Sequence, residues 1–522
     1  MDTLFLRNES SMHAWWKESI FYQIYPRSFY DSNNDGIGDL EGIIQKLDHL
    51  KSLGIDCIWL SPIFPSPHHD FGYDIAEYCA VDPIFGSLDI MDNLIEQASI
   101  RNIKIILDGV FNHTSIEHPW FLDSCRNGEK KDWYIWNEKA NNWTSVFGGS
   151  AWTWHPIRKA HYLHSFAKEQ PDINWSHPEV QKEILKIMEF WYKRGISGFR
   201  LDVFNCYAKD TQHTDNPKRK DILGLIGGFA YSFINQHHVY DRDRPELFPI
   251  LRDMRKLADQ YNAVLIGETL DENLRYNRAS EYVGPELLHL TFHFQLLHTK
   301  WNPKKIKDSC MQLQKDFQSQ CPTIVTSNHD FPRQSKRWGA DERKRRIMAL
   351  LTLTLRGVPF IYYGEEIGLP HISIPRASIQ DPVGKKFWPF FSGRDGSRTP
   401  MQWSNDKFCG FSKTKPWLPT ESKNLCTVHV QEEDPSSILH LYRALITLRK
   451  SHPVLHKGAL KWLSSSKESL CYERYLEQER IVICINLSSR TITTPVQSGT
   501  IIFRIGSADL QTLQPYTAIL IS

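Results

Sequence analysis

The chain has 522 residues, and its 62 basic and 60 acidic side chains leave a formal charge of only +2. This near-neutral balance argues against electrostatic attraction to nucleic acid or to an anionic membrane surface. The hydrophobic fraction of 41% is enough for a large core. No apolar run reaches the roughly 18 residues of a transmembrane helix. We therefore expect a globular protein that uses neither nucleic acid nor a membrane as a partner.

The N-terminal segment MDTLFLRNESSMHAWW lacks the apolar core and cleavage site of a signal peptide. Translation can start at Met1 or at Met12, and the sequence does not choose between them. The ten cysteines are scattered, without a CxxC pair. Such a distribution is typical of reduced thiols in a cytoplasm, so the sequence predicts a cytoplasmic location.

Eight apolar, β-rich runs alternate along the chain with amphipathic stretches. Near-continuous apolar runs are typical of strands that are buried on both faces, as in a parallel sheet. Eight strand–helix alternations predict an α/β fold, the (β/α)8 TIM barrel. An open doubly wound sheet is the alternative, but no GxGxxG or P-loop motif follows any run. The runs are IFYQIYP (from Ile20), IDCIWLSP (from Ile55), IKIILDGVF (from Ile103), GFRLDVF (from Gly198), AVLIGET (from Ala263), LLHLTFHF (from Leu287), PTIVTSNHD (from Pro322) and FIYYGEE (from Phe360).

Two segments depart from this alternation. Residues 115–175, after the third run, are weakly periodic and rich in Trp, Asn and Gly. A long insert in a compact fold is usually functional, so we predict a subdomain over the barrel mouth. Later in the chain, LCYERYL, RIVICINL and GTIIFRI alternate as antiparallel strands do, which predicts a C-terminal β-sandwich domain over residues 456–522. The catalytic barrel is then formed by residues 13–114 and 176–455.

Polar side chains cluster at the carboxyl ends of the predicted strands, where barrels of this type carry their functional groups. Arg200 and Asp202 are two residues apart and therefore point to the same side. We expect the arginine to lower the pKa of the aspartate and to keep it as an anionic nucleophile. Glu268 follows the apolar VLIG. Burial raises the pKa of a carboxyl group, which suits a general acid. With Asp330 after TSNH, three acids follow three strands and fit glycosidic bond cleavage, although an ion pair or a cap would explain any one of them alone.

These residues lie in segments that resemble the α-amylase family of retaining glycoside hydrolases, in its exo-acting α-glucosidase and oligo-1,6-glucosidase branch. The resemblance covers nearly the whole chain from Trp15. It is carried by YQIYPRSFYDSNNDGIGDL, FGYDI, FNHTS, GGSAW, QPDINW, GFRLD, GET, SNHD, YYGEEIG and GRDGSRTPMQW.

The resemblance implies an enzyme that releases the terminal non-reducing α-glucose from short α-glucosides. It assigns Asp202 as the nucleophile, Glu268 as the acid/base and Asp330 as the stabiliser of the transition state. Around the terminal glucose it places Asp70, Tyr73 as a stacking platform, His113, Arg200, His329 and Arg398. Phe147 and Phe166, from the predicted subdomain, would line the pocket, or would simply pack that subdomain.

The segment DSNNDGIGD carries oxygen-bearing side chains at alternate positions, as an EF-hand loop does. Its twelfth position is Gly42 rather than a bidentate glutamate, so an EF-hand is not expected. Members of the resembling branch carry a structural calcium here, which predicts a divalent cation, Ca²⁺ by preference, and no organic cofactor. A turn closed by its own hydrogen bonds is the alternative. The predicted ligands are Asp31, Asn33, Asp35, the carbonyl of Ile37, and Asp39.

The prediction of which glycosidic linkage is cleaved rests on few residues. In the resembling branch, a valine at the position of Val203 goes with α-1,6 specificity, and we lean slightly toward α-1,6 links. HHVYDRDRPE and DPVGKKFWPFFSGRDGSRTPMQW look closer to relatives that cleave α-1,4 bonds and sucrose. A transglycosylase such as a sucrose isomerase or trehalose synthase is a further alternative, although an arginine-rich clamp is missing. A non-enzymatic transporter subunit is disfavoured, because all three acids are present.

Overall fold

The computed structural model describes residues 14–220, 232–270, 276–420, 426–464 and 466–522, so that Met12 lies outside the described residues. Eight parallel strands form a nearly closed barrel, and the predicted fold class is confirmed. Each of the eight predicted runs overlaps one strand. The strands are β1 (Phe21–Ile24), β2 (Cys57–Leu60), β3 (Lys104–Gly109), β4 (Gly198–Leu201), β5 (Val264–Gly267), β6 (Leu290–Thr291), β7 (Thr323–Val325) and β8 (Val358–Tyr362).

The strands pair in the order β7-β8-β1-β2-β3-β4-β5-β6. Between the two ends of this sheet, the Thr323 hydroxyl of β7 donates a hydrogen bond to the carbonyl of Thr291 in β6, at 3.0 Å. No backbone ladder joins β6 to β7 in the sheet order, and a side-chain hydrogen bond links these two strands instead.

Aromatic rings fill the inside of the barrel below the mouth. Trp59 packs against Phe292 with ring centroids 5.4 Å apart, and Phe292 packs edge-on against Phe360 at 4.9 Å. Phe21 stacks on Phe360 at 4.6 Å. Because side chains alternate along each strand, these rings face inward while their neighbours face the helices. The barrel is thus a packed core, and its open end is the one at the carboxyl ends of the strands.

Helices surround the barrel and follow the strands, as the amphipathic stretches predict. Among the described residues, no helix combines the length and the apolarity that a membrane crossing requires. The described α-helices are Leu40–Gln45, Leu47–Leu53, Leu88–Ile100, Pro119–Cys125, Pro178–Lys193, Leu247–Gln260, Gln295–His298, Pro303–Asp316, Gln334–Trp338, Glu342–Thr354, Pro382–Phe387, Val428–Glu433, Ile438–Ser451 and Pro453–His456.

The insert after β3 carries a small antiparallel sheet of three strands, Trp136–Asn137, Ala160–Leu163 and Trp152–His155, in that spatial order. It is fastened to the barrel by a buried ion pair between Lys209 and Asp172, at 3.0 Å. Lys209 also donates to the side-chain carbonyl of Asn112, at 3.1 Å. The Asn112 amide in turn donates to Asp172, at 3.2 Å, and because Asn112 directly precedes His113, this second contact joins the insert to the rim of the barrel mouth.

The C-terminal part forms a five-stranded antiparallel sheet, so the expected antiparallel β domain is confirmed. A separate two-stranded ladder joins residues 492–493 to 512–513. The strands of the larger sheet, in spatial order, are Ala459–Trp462, Ser469–Leu476, Glu479–Asn486, Ala518–Ile521 and Ile501–Ile505.

A buried arginine holds the end of the barrel against the segment that leads into the C-terminal sheet. Arg449 is 1% exposed. Its guanidinium donates to the carbonyls of Leu353 and Leu455, both at 2.8 Å, and of Gly357, at 2.7 Å. One side chain therefore bonds three carbonyls, of which that of Leu455 also accepts from Arg474, at 2.7 Å, and buried carbonyls are costly to leave unpaired.

We predict that Arg449→Met, which keeps an apolar stem but removes the donors, lowers the free energy of unfolding by about 2–4 kcal/mol. Urea unfolding followed by circular dichroism measures the loss. Arg480→Met is the matched control, because the Arg480 side chain is 53% exposed. Equal stabilities for the two variants would contradict the structural role of Arg449.

Candidate active site

The strand register brings an arginine and two acids together at the barrel mouth. Asp108 at the end of β3 aligns with Arg200 in β4. The backbone N–H of Glu268, directly after β5, donates to the carbonyl of Leu201 at 3.0 Å. Asp202 follows Leu201, so it lies level with Glu268 on the neighbouring strand. Because these parallel strands are in register, the four side chains lie close together at the barrel mouth.

The guanidinium of Arg200 is shared by three carboxylates. Its Nη1 lies 2.5 Å from Asp108 and 2.7 Å from Asp202, and its Nη2 contacts Glu268. The group is 1% exposed and faces the rings of Trp59 and Tyr73. Although burial opposes the charge, the carboxylates of Asp108 and Asp202 raise the pKa of Arg200. One fixed cation therefore lies at the centre of the candidate site.

The electrostatics of Asp202 differ from the prediction. Burial raises the pKa of the Asp202 carboxyl to about 6; Arg200 acts to lower it and Asp108 to raise it further. Arg200 thus acts in the expected direction, but the expectation of a net low pKa is wrong, because burial outweighs the effect of Arg200. A pKa near 6 still leaves most Asp202 ionised at pH 7.

The chain turns sharply after Asp202. Val203 has a φ of +37°, a region that branched side chains rarely adopt, and a 3₁₀ helix at Phe204–Cys206 follows. The turn ends β4 at the mouth and leaves both the Asp202 carboxylate and the Val203 side chain facing the pocket.

Asp330 lies across the mouth from this cluster, between two arginines. It contacts Arg398 at 3.1 Å and Arg394 at 3.3 Å. Burial acts to raise the pKa of Asp330, but His329 and the two guanidinium groups together hold it well below its usual range. Burial lowers the pKa of His329 to about 3, so its ring is neutral near pH 7. Asp330 is thus a permanent anion over the physiological range.

A chain of hydrogen bonds runs from Gln23 through His329 to the Arg200 cluster. The Gln23 amide lies 2.8 Å from Nδ1 of His329, and Nε2 of His329 lies 2.6 Å from the Tyr73 hydroxyl. The Tyr73 hydroxyl donates in turn to Asp108, at 3.1 Å. The rings of Tyr73 and His329 are parallel within 2°. These contacts fix Tyr73 as a flat surface in the pocket wall.

The closed end of the pocket is lined by buried polar groups. Gln170 donates to the carbonyl of Tyr73 at 3.1 Å and to Asp70 at 3.3 Å. Arg394 contacts the other oxygen of Asp70, at 2.6 Å. His113 lies 3.2 Å from the Gln170 amide. Burial lowers the pKa of His113, which is therefore neutral near pH 7.

The cavity has a volume of about 380 Å³ and contains most of the predicted residues. Three of the predicted residues do not line it, namely Arg200, His329 and Arg398. Each of them lies directly behind a residue that lines the cavity. The predicted residues in its wall are Asp70, Tyr73, His113, Phe147, Phe166, Asp202, Glu268 and Asp330.

The arginine expected at the glucose, Arg398, is fully buried and donates to the carbonyl of His329 at 2.9 Å. The lining position is taken by Arg394, four residues earlier in the same GRDGSR segment, which the sequence analysis missed. Arg394 is oriented by Asp381, at 2.9 Å. Two arginines in one motif are the signal that could have suggested this pair, but their spacing alone does not say which one faces the cavity.

Two phenylalanines of the insert reach the pocket. Phe166 packs against His113 with centroids 5.3 Å apart, and Phe147 packs edge-on against Phe166 at 5.8 Å. The guanidinium of Arg394 lies 5.7 Å from the Phe147 ring. The insert therefore completes one wall of the cavity.

Several lining residues were not singled out by the sequence analysis. Most are aromatic or apolar side chains in segments that follow different strands. They are Val146, Leu270, Phe294, His298, Phe331, Val383 and Phe391, together with Thr269.

The predicted metal loop is held by its own hydrogen bonds. The Asp31 carboxylate accepts from the backbone N–H groups of Asn34, at 2.7 Å, and Gly36, at 2.8 Å. Asp39 accepts from Gly42 and caps the helix that follows. In the part of the chain that the structure describes, no group of three or more His, Cys, Asp or Glu side chains is arranged to hold a metal ion.

Asn33 and Asp35 complete the loop. The side-chain oxygen of Asn33 accepts from the backbone of Asp35, at 2.9 Å, and Asp35 accepts from Ile37, at 2.7 Å. The five predicted ligands thus remain within one short loop, and their donors are all oxygens.

Known proteins match the chain over most of its length. A family model described as "Alpha amylase, catalytic domain" matches residues 23–458. The probable alpha-glucosidase of Rhizobium meliloti (strain 1021) is 39% identical over 503 residues, which are 92% of this chain and 90% of the relative. The oligo-1,6-glucosidase of Parageobacillus thermoglucosidasius is 34% identical over 525 residues, with coverages of 92% and 91%. The crystal structure of an alpha-glucosyl transfer enzyme superposes with a TM-score of 0.91 at 38% identity, covering 97% of this chain and 99% of that one.

Proposed function

The chain belongs to the alpha-amylase family of glycoside hydrolases, and on this premise we propose that it is a retaining, exo-acting α-glucosidase. It would release the terminal non-reducing α-glucose from short α-glucosides. The names of the relatives, alpha-glucosidase and oligo-1,6-glucosidase, support this substrate class.

One observation carries the proposal. Asp202 and Glu268 contact the two terminal nitrogens of the same guanidinium and face one cavity. Two carboxyl groups held this close match a retaining enzyme, in which the pair is about 5–5.5 Å apart, rather than an inverting one, which must leave room for a water molecule.

The proposed reaction has two steps. In the first, Asp202 attacks C1 of the terminal glucose while Glu268 donates its proton to the leaving oxygen. In the second, Glu268 takes a proton from water, whose oxygen displaces Asp202 from C1. Two displacements at one carbon restore the α configuration.

The charge balance of the site supports this chemistry. Three carboxylates share Arg200, so one proton retained among them relieves their mutual repulsion, as a general acid requires. Asp330 stays ionised opposite them. The remaining negative charge would stabilise the positive, oxocarbenium-like transition state.

The closed end of the cavity explains the proposed exo action. Asp70, Gln170 and Arg394 are linked by hydrogen bonds and shut this end, so a chain could enter only by its terminal sugar. Their donors and acceptors match the hydroxyl groups of glucose. We assign the contacting arginine to Arg394 and a positioning role to Arg398.

The preferred linkage is the finer part of the proposal. Val203 lines the cavity directly beside the nucleophile, where its branched side chain would narrow the space for the leaving sugar. We propose a slight preference for α-1,6 links, with α-1,4-glucosides or sucrose as the alternative. The similarity to an alpha-glucosyl transfer enzyme also supports transfer to an acceptor sugar as a competing outcome.

We also propose a structural divalent cation, probed first as Ca²⁺, on the loop from Asp31 to Asp39. Oxygen donors at alternate positions suit a hard cation. The cation would be held by Asp31, Asn33, Asp35, the Ile37 carbonyl and Asp39, and it would neutralise the loop's acids.

A cytoplasmic location is likewise a proposal, which the ten cysteines without a disulfide support.

We predict that Asp202→Asn, an isosteric change, lowers kcat/KM for isomaltose at least about 10³-fold, because it removes the nucleophile. Glucose release measures the rate, and proton NMR should show the α-anomer appearing first from the unmodified enzyme. Asp253→Asn, an exposed position on the helix Leu247–Gln260, is the control. Undiminished hydrolysis by Asp202→Asn would refute the assignment.

The same assay with maltose and sucrose tests the linkage. A higher kcat/KM for isomaltose is expected. A strong preference for maltose would contradict the role given to Val203.

We predict that kcat/KM falls as the pH drops through about 6, because protonated Asp202 cannot attack. Asp108→Asn removes a neighbouring negative charge that raises the pKa of Asp202, so the acid limb should move to lower pH. A pH–rate profile from pH 4 to 8 checks both statements, with Asp253→Asn as the control. An acid limb that stays in place or moves upward would contradict this account.

We predict that Ca²⁺ raises the thermal stability of the unmodified protein, by about 2.7 kcal/mol at a hundredfold excess over Kd. Asp35→Asn should abolish this increase, because it removes a charged ligand while its amide oxygen can keep the bond to Ile37. Differential scanning calorimetry with Ca²⁺ or EDTA measures the effect. A protein that is indifferent to Ca²⁺ would rule out the site.

A further inference from the structure

Two cysteines face each other across the C-terminal sheet, and neither takes part in the proposed reaction. Cys471, in the strand Ser469–Leu476, is directly opposite Cys484, in the strand Glu479–Asn486. Their Sγ atoms lie 2.7 Å apart, well inside the roughly 3.5–4 Å at which unbonded heavy atoms pack. Neither of them is part of a disulfide in the structure.

The register places this pair where a cross-strand disulfide fits the backbone. At the open end of the hairpin, the backbone N–H of Leu487 donates to the carbonyl of Glu468, at 2.9 Å. Hydrogen-bonded and non-hydrogen-bonded pairs alternate along an antiparallel ladder, so Cys471 and Cys484, three steps further along, form a non-hydrogen-bonded pair. In such a pair the Cα atoms are about 4.5 Å apart and the side chains are closest. That spacing lies within the range that a disulfide bridges.

The pair lies in a small core of the C-terminal domain. Both side chains are fully buried, and they belong to a cluster of six buried residues in the described part of the chain. The alternate residue Tyr472 lies on the other face of the sheet, where its hydroxyl contacts that of Thr354, at the end of a barrel helix, at 2.6 Å. The hairpin therefore carries the cysteine pair on one face and a contact with the barrel on the other. The remaining members of the cluster are Ala508, Leu513, Ile519 and Ile521.

From this geometry we infer that Cys471 and Cys484 are a redox-active pair, which a small disulfide such as glutathione disulfide oxidises to a cross-strand disulfide. In the first step, one cysteine thiolate attacks glutathione disulfide, and a mixed disulfide forms as one glutathione thiolate leaves. In the second, the other cysteine thiolate attacks the protein sulfur of the mixed disulfide, and the second glutathione leaves. The two thiol protons pass to the two glutathione thiolates, and two electrons pass from the protein to glutathione.

Burial controls how fast this bond forms and how long it lasts. The hydrogen bond to Cys484 and burial raise the pKa of the Cys471 thiol, so the reactive thiolate is scarce in the folded protein. Oxidation therefore requires the sheet to open locally. Once formed, the bond is shielded from reductants by the same burial. A reducing cytoplasm would hold the pair as thiols, whereas oxidising conditions would join them.

The cross-link would stabilise the C-terminal domain without touching the active site. It would restrict the unfolded chain between residues 471 and 484. It would also fix the strand through which Tyr472 contacts the barrel. The inference goes beyond the proposed function and does not depend on it, because the cysteine pair lies outside the barrel.

The test incubates the folded protein at pH 8 in sub-denaturing urea, which promotes local opening, with either glutathione disulfide or dithiothreitol. Remaining thiols are then blocked with N-ethylmaleimide. We expect mass spectrometry to find a peptide linked through Cys471 and Cys484 in the oxidised sample alone. After removal of urea, the midpoint of thermal unfolding of the oxidised sample should be higher by at least about 3 °C.

Cys484→Ala should abolish both the linked peptide and the rise of the unfolding midpoint on oxidation. Cys310→Ala is the matched control, because Cys310 is another fully buried cysteine, on the helix Pro303–Asp316, and it should keep both effects. Each variant is compared with its own reduced form, so that a loss of stability from the substitution itself does not enter. Absence of the linked peptide from the oxidised unmodified protein, or a rise that persists in Cys484→Ala, would overturn the inference.

Discussion

The site depends on one guanidinium that is shared by three carboxylates. Arg200 is buried and contacts Asp108, Asp202 and Glu268, which end three neighbouring strands. A buried cation of this kind needs its partners, and each partner needs the cation, because an unpaired buried charge is strongly destabilising. The barrel register, the position of both proposed catalytic acids and the charge of the nucleophile therefore follow from the same interaction.

Burial and the shared cation together set the chemistry. Burial raises the pKa of Asp202 to about 6, against the lowering effect of Arg200 and with a further rise from Asp108. The carboxylate is therefore ionised at neutral pH yet remains more basic than an exposed aspartate. Asp330, flanked by Arg394 and Arg398, has the opposite environment and remains a fixed anion.

The cavity has a polar closed end and a more apolar mouth. Its closed end offers buried donors and acceptors from Asp70, His113 and Gln170, which suit a sugar. Its mouth is lined by phenylalanines from segments that follow several strands, and is therefore more apolar. Because the barrel holds these loops independently of one another, the mouth can vary while the charged centre stays constant.

The sequence by itself determined the eight strands. A near-continuous apolar run is either a strand buried on both faces or a buried helix, and these runs are too short for helices. It also determined that Asp202, Glu268 and Asp330 lie together, since parallel strands end at one edge. Only the tertiary structure decided the pKa of Asp202, the choice of Arg394 over Arg398 as the lining residue, and which apolar side chains line the mouth of the cavity. Those properties depend on how charges and loops from distant segments are placed around one point, which a local pattern does not encode.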